Sequence, residues 1–321
     1  MVELIYYQLV KEQLARVEDI MRAEVSDSHP NLFSAIDALI SAGGKRLRPT
    51  VLLLVGRMIG AEIEALTIMA AAVELLHNAT LIHDDLLDGA LFRRGVSTLN
   101  AQWPTATTVL MGDYAFSRAA KLASQTGSAR AMRKFAETLS IIVNGEITQM
   151  FSDARSISRE NYFQRIYAKT ASLFEAASGV AAILSNANEE IIESAIGFGR
   201  NLGMAFQIVD DVLDFTGEQA TVGKPVASDL RHGTVTLPAI YYLEANPDCP
   251  DMKAFLNGGR ADEKQIARLV DVIRTSGSVR QSLDEARRFV DRSFEFLEAF
   301  PDGIERQALR ELGQYIVDRD V

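Results

Sequence analysis

Two five-residue runs, Asp84-Asp85-Leu86-Leu87-Asp88 and Asp210-Asp211-Val212-Leu213-Asp214, repeat one spacing of carboxylates in a single chain. Each follows a long apolar stretch with helical period and falls near its C-terminal end. On a helix, positions i and i+4 share a face, so Asp84 projects with Asp88 and Asp210 with Asp214. Like charges at that spacing repel, and the C-terminal end of the helix dipole is already negative. Hard divalent cations resolve the conflict. Mg²⁺ takes oxygen ligands, and it typically binds one or two carboxylates together with substrate phosphates. Either run alone also reads as a solvated acidic helix end; the repetition in apolar surroundings weighs against that reading.

Basic residues alternate with the acidic runs. Gly43-Gly44-Lys45-Arg46-Leu47-Arg48-Pro49 sets three cations at a loop-to-helix junction. Free backbone N–H groups at the start of a helix add to a phosphate site there. Arg93-Arg94 follows the first run in a glycine-flanked loop, Lys169-Thr170 interrupts a core-like helix, and Lys224 follows Gly223 after the second run. Singly, each reads as a solvated surface charge. Jointly, metals and cations offer diphosphate two kinds of partner. His77 lies seven residues before Asp84, on the same helical face. It could also be a buried structural histidine. His83 faces differently and reads as structural or supporting. Zinc is disfavoured, since His/Cys partners are missing. Serine-hydrolase chemistry is disfavoured too, because no Gly-x-Ser-x-Gly run occurs.

The elements that must position these groups are helices. The chain has 321 residues, 48% hydrophobic and 24% charged, with only 8 prolines, which favours helix. The period predicts helices over Leu4 to Arg22, Pro30 to Ile40, Arg48 to Ile59 and Ile63 to Leu87. Further helices are expected over Thr105 to Ala123, Ala129 to Phe151, Arg159 to Ser185 and Glu189 to Phe215. Two or three amphipathic helices follow from Lys264. Gly89 to Pro104 and Thr216 to Pro238 read as loops, and no alternating segment is long enough to be read as a strand. An all-α fold in one domain, residues 1–321, is the expectation. A net charge of −10 argues against a nucleic-acid partner. One cysteine, Cys249, excludes an intrachain disulfide and fits a reducing compartment. No signal peptide is read at Met1 to Val10, and no charge-free stretch of about 20 apolar residues is found. A cytoplasmic protein is expected, with peripheral membrane contact left open.

These residues resemble the trans-isoprenyl diphosphate synthases, or polyprenyl synthetases. The resemblance runs through Gly-Gly-Lys-Arg-Leu-Arg-Pro at 43–49, Leu-Ile-His-Asp-Asp-Leu-Leu-Asp at 81–88 and Arg-Arg-Gly at 93–95. It continues through Gly-Asp at 112–113, Gly-Glu at 145–146, Lys-Thr at 169–170 and Phe-Gln at 206–207. Asp-Asp-Val-Leu-Asp at 210–214, Gly-Lys at 223–224 and Thr-Leu-Pro at 236–238 complete it. The resemblance implies an orthogonal bundle of helices around a central cavity, usually as a homodimer. It implies a prenyltransferase that condenses isopentenyl diphosphate with an allylic diphosphate. Asp84, Asp88 and Asp210 would bind three Mg²⁺ ions, with Asp85, Asp211 and Asp214 completing the catalytic clusters. Arg93, Lys169 and Lys224 would assist at the allylic diphosphate, and Thr170 and Gln207 would line that site. Lys45, Arg48, His77 and Arg94 match positions that hold isopentenyl diphosphate. One departure is Gly233-Thr234, where many members carry a lysine.

Product length is read from the helix before Asp84. With about 1.5 Å rise per residue, Ala79 lies roughly 7–8 Å and Leu76 about 12 Å before Asp84 along the axis. By the resemblance, short-product members place bulky aromatics four or five residues before the first cluster; here those positions are Thr80 and Ala79. The insertion found in bacterial short-chain farnesyl synthases is absent as well. A long-chain polyprenyl product is expected, with a geranylgeranyl product instead if Phe116 on a neighbouring helix closes the path. A terpene cyclase, a non-catalytic synthase subunit and a helical binding protein are the competing functions. The intact second Asp run and the Lys45-Arg48-His77 set weigh against the first two.

Overall fold

Polar and glycine-containing breaks separate apolar-faced segments along the chain, and each segment folds as a helix. The structure, a computed structural model, describes residues 4–93, 95–151, 157–217, 226–256 and 263–319. Its helices are α1 (Ile5–Gln8), α2 (Lys11–Val25), α3 (Pro30–Ser41), α4 (Leu47–Met58), α5 (Ile63–Leu87) and α6 (Leu99–Gln102). Next come α7 (Thr105–Gln125), α8 (Ala129–Phe151), α9 (Arg159–Ile166), a π-helical turn (Tyr167–Ala171), α10 (Ser172–Leu184) and α11 (Glu189–Thr216). The rest are α12 (Ser228–Arg231), α13 (Leu237–Ala245), α14 (Pro250–Leu256), α15 (Glu263–Thr275), α16 (Ser278–Leu297) and α17 (Ile304–Asp318). The all-α class matches the expectation. Several elements differ from it. The loop after the first cluster contains a small antiparallel hairpin, β1 (Phe92–Arg93) and β2 (Val96–Ser97), too short to leave a period-2 signal. Helices α6 and α12, four residues each, lie inside stretches read as loops, and α13 and α14, at 9 and 7 residues, lie where no helix was expected.

The described chain forms two compact units. One comprises Met1–Ser140, Leu173–Gly199 and Phe294–Leu312. Its central element is α5, which packs against α2, α4 and α7. Leu66, Met69, Ala70, Ala71, Ala72, Val73, Leu75, Leu76 and Ala79 of α5 are buried. By length and composition α5 could cross a bilayer, a property the charge-free rule did not pick out, but 72% of its most apolar window is buried within the protein. It is a core helix, and burial on nearly all sides explains its lack of a polar face. The Glu62 carboxylate starts it by accepting the N–H groups of Glu64 and Ala65 at 3.0 and 2.7 Å. Those bonds hold Glu62 below the usual carboxylate range.

The other unit comprises Ile141–Ser172, Arg200–Ser293 and Gly313–Val321. There α9 runs into the π turn, α13 packs on α9 and α15, and α14 packs on α15. Ile266, Leu269, Val270 and Ile273 form the buried stripe of α15. That is the i, i+3, i+4, i+7 spacing of an amphipathic helix.

Candidate active site

In the first unit, the cluster sits where α5 ends. Asp88 is the C-cap, and its N–H still donates to the Asp84 carbonyl at 2.8 Å. Helical geometry therefore reaches Asp88 and keeps it on the face of Asp84. Gly89, at φ +62°, then reverses the chain, and the Ala90 N–H closes on the Asp85 carbonyl at 2.9 Å. A left-handed residue there favours glycine. The carboxylates part ways by burial. Asp85 is buried, Asp84 half-buried and Asp88 exposed. Asp85 is matched by Arg93 of β1, whose Nε and Nη2 both lie 2.8 Å from Oδ1. The hairpin thus fixes an arginine against the inner aspartate, the partner that a buried carboxylate requires.

The basic loop before α4 sorts its three cations in different directions. Lys45 is exposed. Arg48 is half-buried, its guanidinium 4.7 Å from the Phe174 ring centroid, a stacked cation–π contact. Arg46 does not belong with them. It adopts a left-handed backbone, φ 46°, and turns inward. It pairs with Glu74 of α5 at 2.8 Å and Glu18 of α2 at 3.0 Å and donates to the Ile40 carbonyl at 2.6 Å. Of the three cations that the sequence sets at this junction, Arg46 is taken up by structural ion pairs. Burial lowers the Arg46 pKa, but buried Glu74 and half-buried Glu18 raise it above the usual arginine value.

His77 is half-buried on α5. His83 leans towards α7: its Nε2 lies 3.2 Å from the Val109 carbonyl oxygen and 3.6 Å from Asp113 Oδ1, and its ring lies 5.2 Å from that of Phe116. Gly112 permits this approach, since a Cβ there would stand 2.2 Å from His83 Nε2. Phe116, the rival product stop, spends one face on His83. Leu76 and Ala79 are fully buried, and the Thr80 hydroxyl donates to the His77 carbonyl at 2.8 Å.

The second unit gathers the remaining residues. Tyr167–Ala171 is a π-helical turn, a feature that concentrates at functional sites. It carries Lys169, 3.0 Å from Glu146 Oε1, and Thr170, whose hydroxyl donates to Gln207 Oε1 at 2.6 Å. Gln207 Nε2 donates to Asp211 Oδ1 at 2.7 Å, and Tyr162 Oη donates to Asp211 Oδ2 at 2.7 Å. Burial, with Asp229 nearby, pushes the Asp211 carboxyl up to about 8, against the lowering effect of the Tyr162 and Gln207 bonds. Asp214 accepts the N–H groups of Ser228 and Asp229, both at 3.1 Å, and so holds the start of α12. Asp210 pairs with Arg319 at 2.8 Å. Thr234, in the place of the frequent lysine, closes a turn by donating its N–H to the Asp229 carbonyl at 2.8 Å.

Both clusters therefore have a buried inner aspartate, Asp85 or Asp211, held by named donors. Asp84, Asp88, Asp210 and Asp214 are the more accessible members. Among the described residues, no three His, Cys, Asp or Glu side chains form a ready metal cage. An all-oxygen pair at i and i+4 still fits Mg²⁺, which keeps waters and completes its shell with phosphate oxygens. Arg94 and Lys224 lie outside the described residues. Sequence reasoning missed Tyr162, Asp229 and Arg319; it included Glu146 only as part of the Gly-Glu motif, without its pairing to Lys169. Their partners lie 18 to 109 residues away in sequence, so no local pattern announces them.

Comparison with known proteins adds an independent line. The polyprenyl synthetase family model matches residues 29–273. Heptaprenyl diphosphate synthase component 2 of Geobacillus stearothermophilus is 35% identical over 98% of this chain and 98% of its own length. Nonaprenyl diphosphate synthase of Mycobacterium tuberculosis is 33% identical, covering 99% of this chain and 95% of its own. The crystal structure of a polyprenyl synthase from Caulobacter crescentus CB15, complexed with calcium and isoprenyl diphosphate, superposes with a TM-score of 0.92. It is 34% identical and covers 98% of this chain and 97% of its own. The fold is accordingly the all-α isoprenoid synthase fold. The chain belongs to the polyprenyl synthetase family, the trans-isoprenyl diphosphate synthases, and is a prenyltransferase.

Proposed function

We propose that the protein is a Mg²⁺-dependent long-chain polyprenyl diphosphate synthase, acting as one functional domain of residues 1–321. The observation that carries this is that the ends of α5 and α11 are built alike. Each presents accessible carboxylates at i and i+4 beside a buried, donor-held aspartate. The product class is supported by relatives named heptaprenyl and nonaprenyl diphosphate synthase, and by the small Ala79 and Thr80 before the first cluster.

The reaction breaks the allylic C–O bond, and the electron pair leaves with diphosphate. The double bond of isopentenyl diphosphate attacks the resulting cation, and transfer of a proton from the new cation to the departed diphosphate restores a double bond. Asp84, Asp88 and Asp210 would hold divalent ions, which when bound neutralise charge on the departing diphosphate. Lys169, Arg93 and Lys224 bind the same group as cations, and Thr170 and Gln207 line its site. Lys45, Arg48, His77 and Arg94 hold isopentenyl diphosphate in line with the cation. The apolar face of α5 around Leu76 and Ala79 shelters the growing tail from water. Asp85, Asp211 and Asp214 keep the clusters in shape. We further propose a cytoplasmic homodimer, with peripheral membrane contact for release of an apolar product.

The test is incubation with isopentenyl diphosphate and an allylic primer, with products sized by mass spectrometry. All-trans products of heptaprenyl length or longer are expected with Mg²⁺, and no turnover in EDTA. Asp84→Ala and Asp210→Ala should each lose turnover while staying folded. Near-normal turnover in both variants contradicts the metal assignment; diphosphate release without isopentenyl diphosphate indicates a cyclase.

A further inference from the structure

Arg319 follows α17, and each guanidinium nitrogen has its own acceptor. Nε donates to the Ile316 carbonyl at 3.1 Å, Nη1 to Asp210 Oδ1 at 2.8 Å and Nη2 to the Phe206 carbonyl at 3.2 Å. The group also stacks on Phe206, 4.5 Å from the ring centroid. Its side chain is 7% exposed, against 40% for Asp210. Ile316 lies in the last turn of α17, where carbonyls lack helical partners and a cation is favoured. Three of the four contacts are thus independent of Asp210. The guanidinium is anchored by backbone and ring, and it remains in place whatever the Asp210 carboxylate binds. A planar arginine fork suits such a site; a lysine ammonium would reproduce the charge without the geometry.

A fixed charge there bears on the metal. We propose that Arg319 makes divalent-metal capture at Asp210 conditional on diphosphate. This rests on the reading of Asp210 as a metal ligand. A permanent monocation in contact with the carboxylate repels an approaching dication at a few ångströms, well inside the screening length of the solvent. One carboxylate so compensated holds a lone Mg²⁺ poorly. Diphosphate brings several negative charges and phosphate oxygens that complete the coordination shell, and the same guanidinium attracts it. Metal then binds at the second cluster with the substrate's diphosphate and not before it. In the first cluster the arginine is placed otherwise: Arg93 pairs with the buried inner aspartate, Asp85.

The experiment measures Mn²⁺ binding to the full-length protein by electron paramagnetic resonance, with and without inorganic pyrophosphate. Wild type, Arg319→Gln, Arg319→Lys and Asp210→Asn are compared. Without pyrophosphate, Arg319→Gln should bind Mn²⁺ about tenfold more tightly than wild type, with a correspondingly smaller enhancement by pyrophosphate. Arg319→Lys, which keeps the charge, should stay near wild type. Arg319→Met, which keeps apolar contact with Phe206, provides the same comparison if the Gln variant is unstable. Unchanged or weaker Mn²⁺ binding in the neutral variants overturns the role of Arg319, as does a Lys variant that behaves like Gln. Asp210→Asn separates the two levels. If it leaves Mn²⁺ binding with pyrophosphate unchanged, the metal assignment fails and this proposal with it. If it lowers that binding while Arg319→Gln has no effect, only the Arg319 proposal fails.

Discussion

The Tyr162 hydroxyl donates to Asp211 Oδ2 at 2.7 Å, joining residues 49 apart in sequence. Both are buried. Asp211 cannot call on water, and its other oxygen takes the amide of Gln207 at 2.7 Å. Burial already disfavours the charged carboxylate, and the tyrosine is one of two side-chain donors that oppose this. Burial, and then the same carboxylate, pushes the Tyr162 phenol well up, so it stays a donor.

Tyr162→Phe removes that donor with little change of shape. The expected cost is about 1–3 kcal/mol, the range for leaving one buried polar group under-satisfied. Urea unfolding at neutral pH measures it. Turnover should fall as well, because Asp211 lies between Asp210 and the chain that holds Gln207 and Thr170. A Phe variant as stable as wild type would mean that the bond contributes nothing net.

The sequence displayed the helices and clusters because both are local. Ile63–Leu87 and Ala129–Phe151 were bounded correctly, since each is long and punctuated by glycine or polar residues. The carboxylate pairs follow from helical spacing alone. What was not legible depends on chain reversal. Arg46 looks like Lys45 and Arg48 in sequence, and only a left-handed backbone at φ 46° sends it inward. Arg319 meets Asp210 across 109 residues, beyond any periodic signal. The π turn at Lys169 was legible only as a cation in an apolar helix; its extra residue per turn leaves no compositional trace.

Gly112 and His83 form a second testable pair. A Cβ at 112 would fall 2.2 Å from His83 Nε2, closer than any packed contact allows. Gly112→Ala should cost about 1–3 kcal/mol through overpacking and lower activity by moving the residue next to Asp84. In His83→Ala the obstacle is gone, so the second substitution should then be nearly neutral. A double-mutant cycle by denaturation reads this coupling. Additive losses would show that the ring yields without strain.

The two substrate sites predict different kinetic signatures. Lys45→Ala should chiefly raise KM for isopentenyl diphosphate. Arg48→Ala should do the same with an added stability loss from its contact with Phe174, about 0.5–1 kcal/mol. Arg93→Ala should impair the allylic substrate and kcat, and it also leaves buried Asp85 without its arginine. Steady-state kinetics with each substrate varied in turn separates the three. Equal effects on both substrates in all variants would contradict the division into two sites.

Product length tests the reading of α5. Ala79 is fully buried, about five residues and so roughly 7–8 Å before Asp84 along the helix. Its methyl leaves little to block a path on that side. Ala79→Phe introduces a ring there and should shift products to farnesyl or geranylgeranyl length, while the first condensation keeps its rate. Its overpacking cost is about 1–3 kcal/mol, so urea unfolding accompanies product sizing. Leu76 is also fully buried, a turn further from the cluster. Leu76→Phe should therefore stop chains later than Ala79→Phe does. Phe116 is the competing stop, but its ring already packs on His83 at 5.2 Å; Phe116→Ala should leave the longest product unchanged. The decisive comparison is the order of product lengths: Ala79→Phe shortest, Leu76→Phe intermediate, wild type and Phe116→Ala longest. An active Ala79→Phe enzyme with the wild-type distribution would refute the floor assignment, and longer products in Phe116→Ala would move the floor to α7.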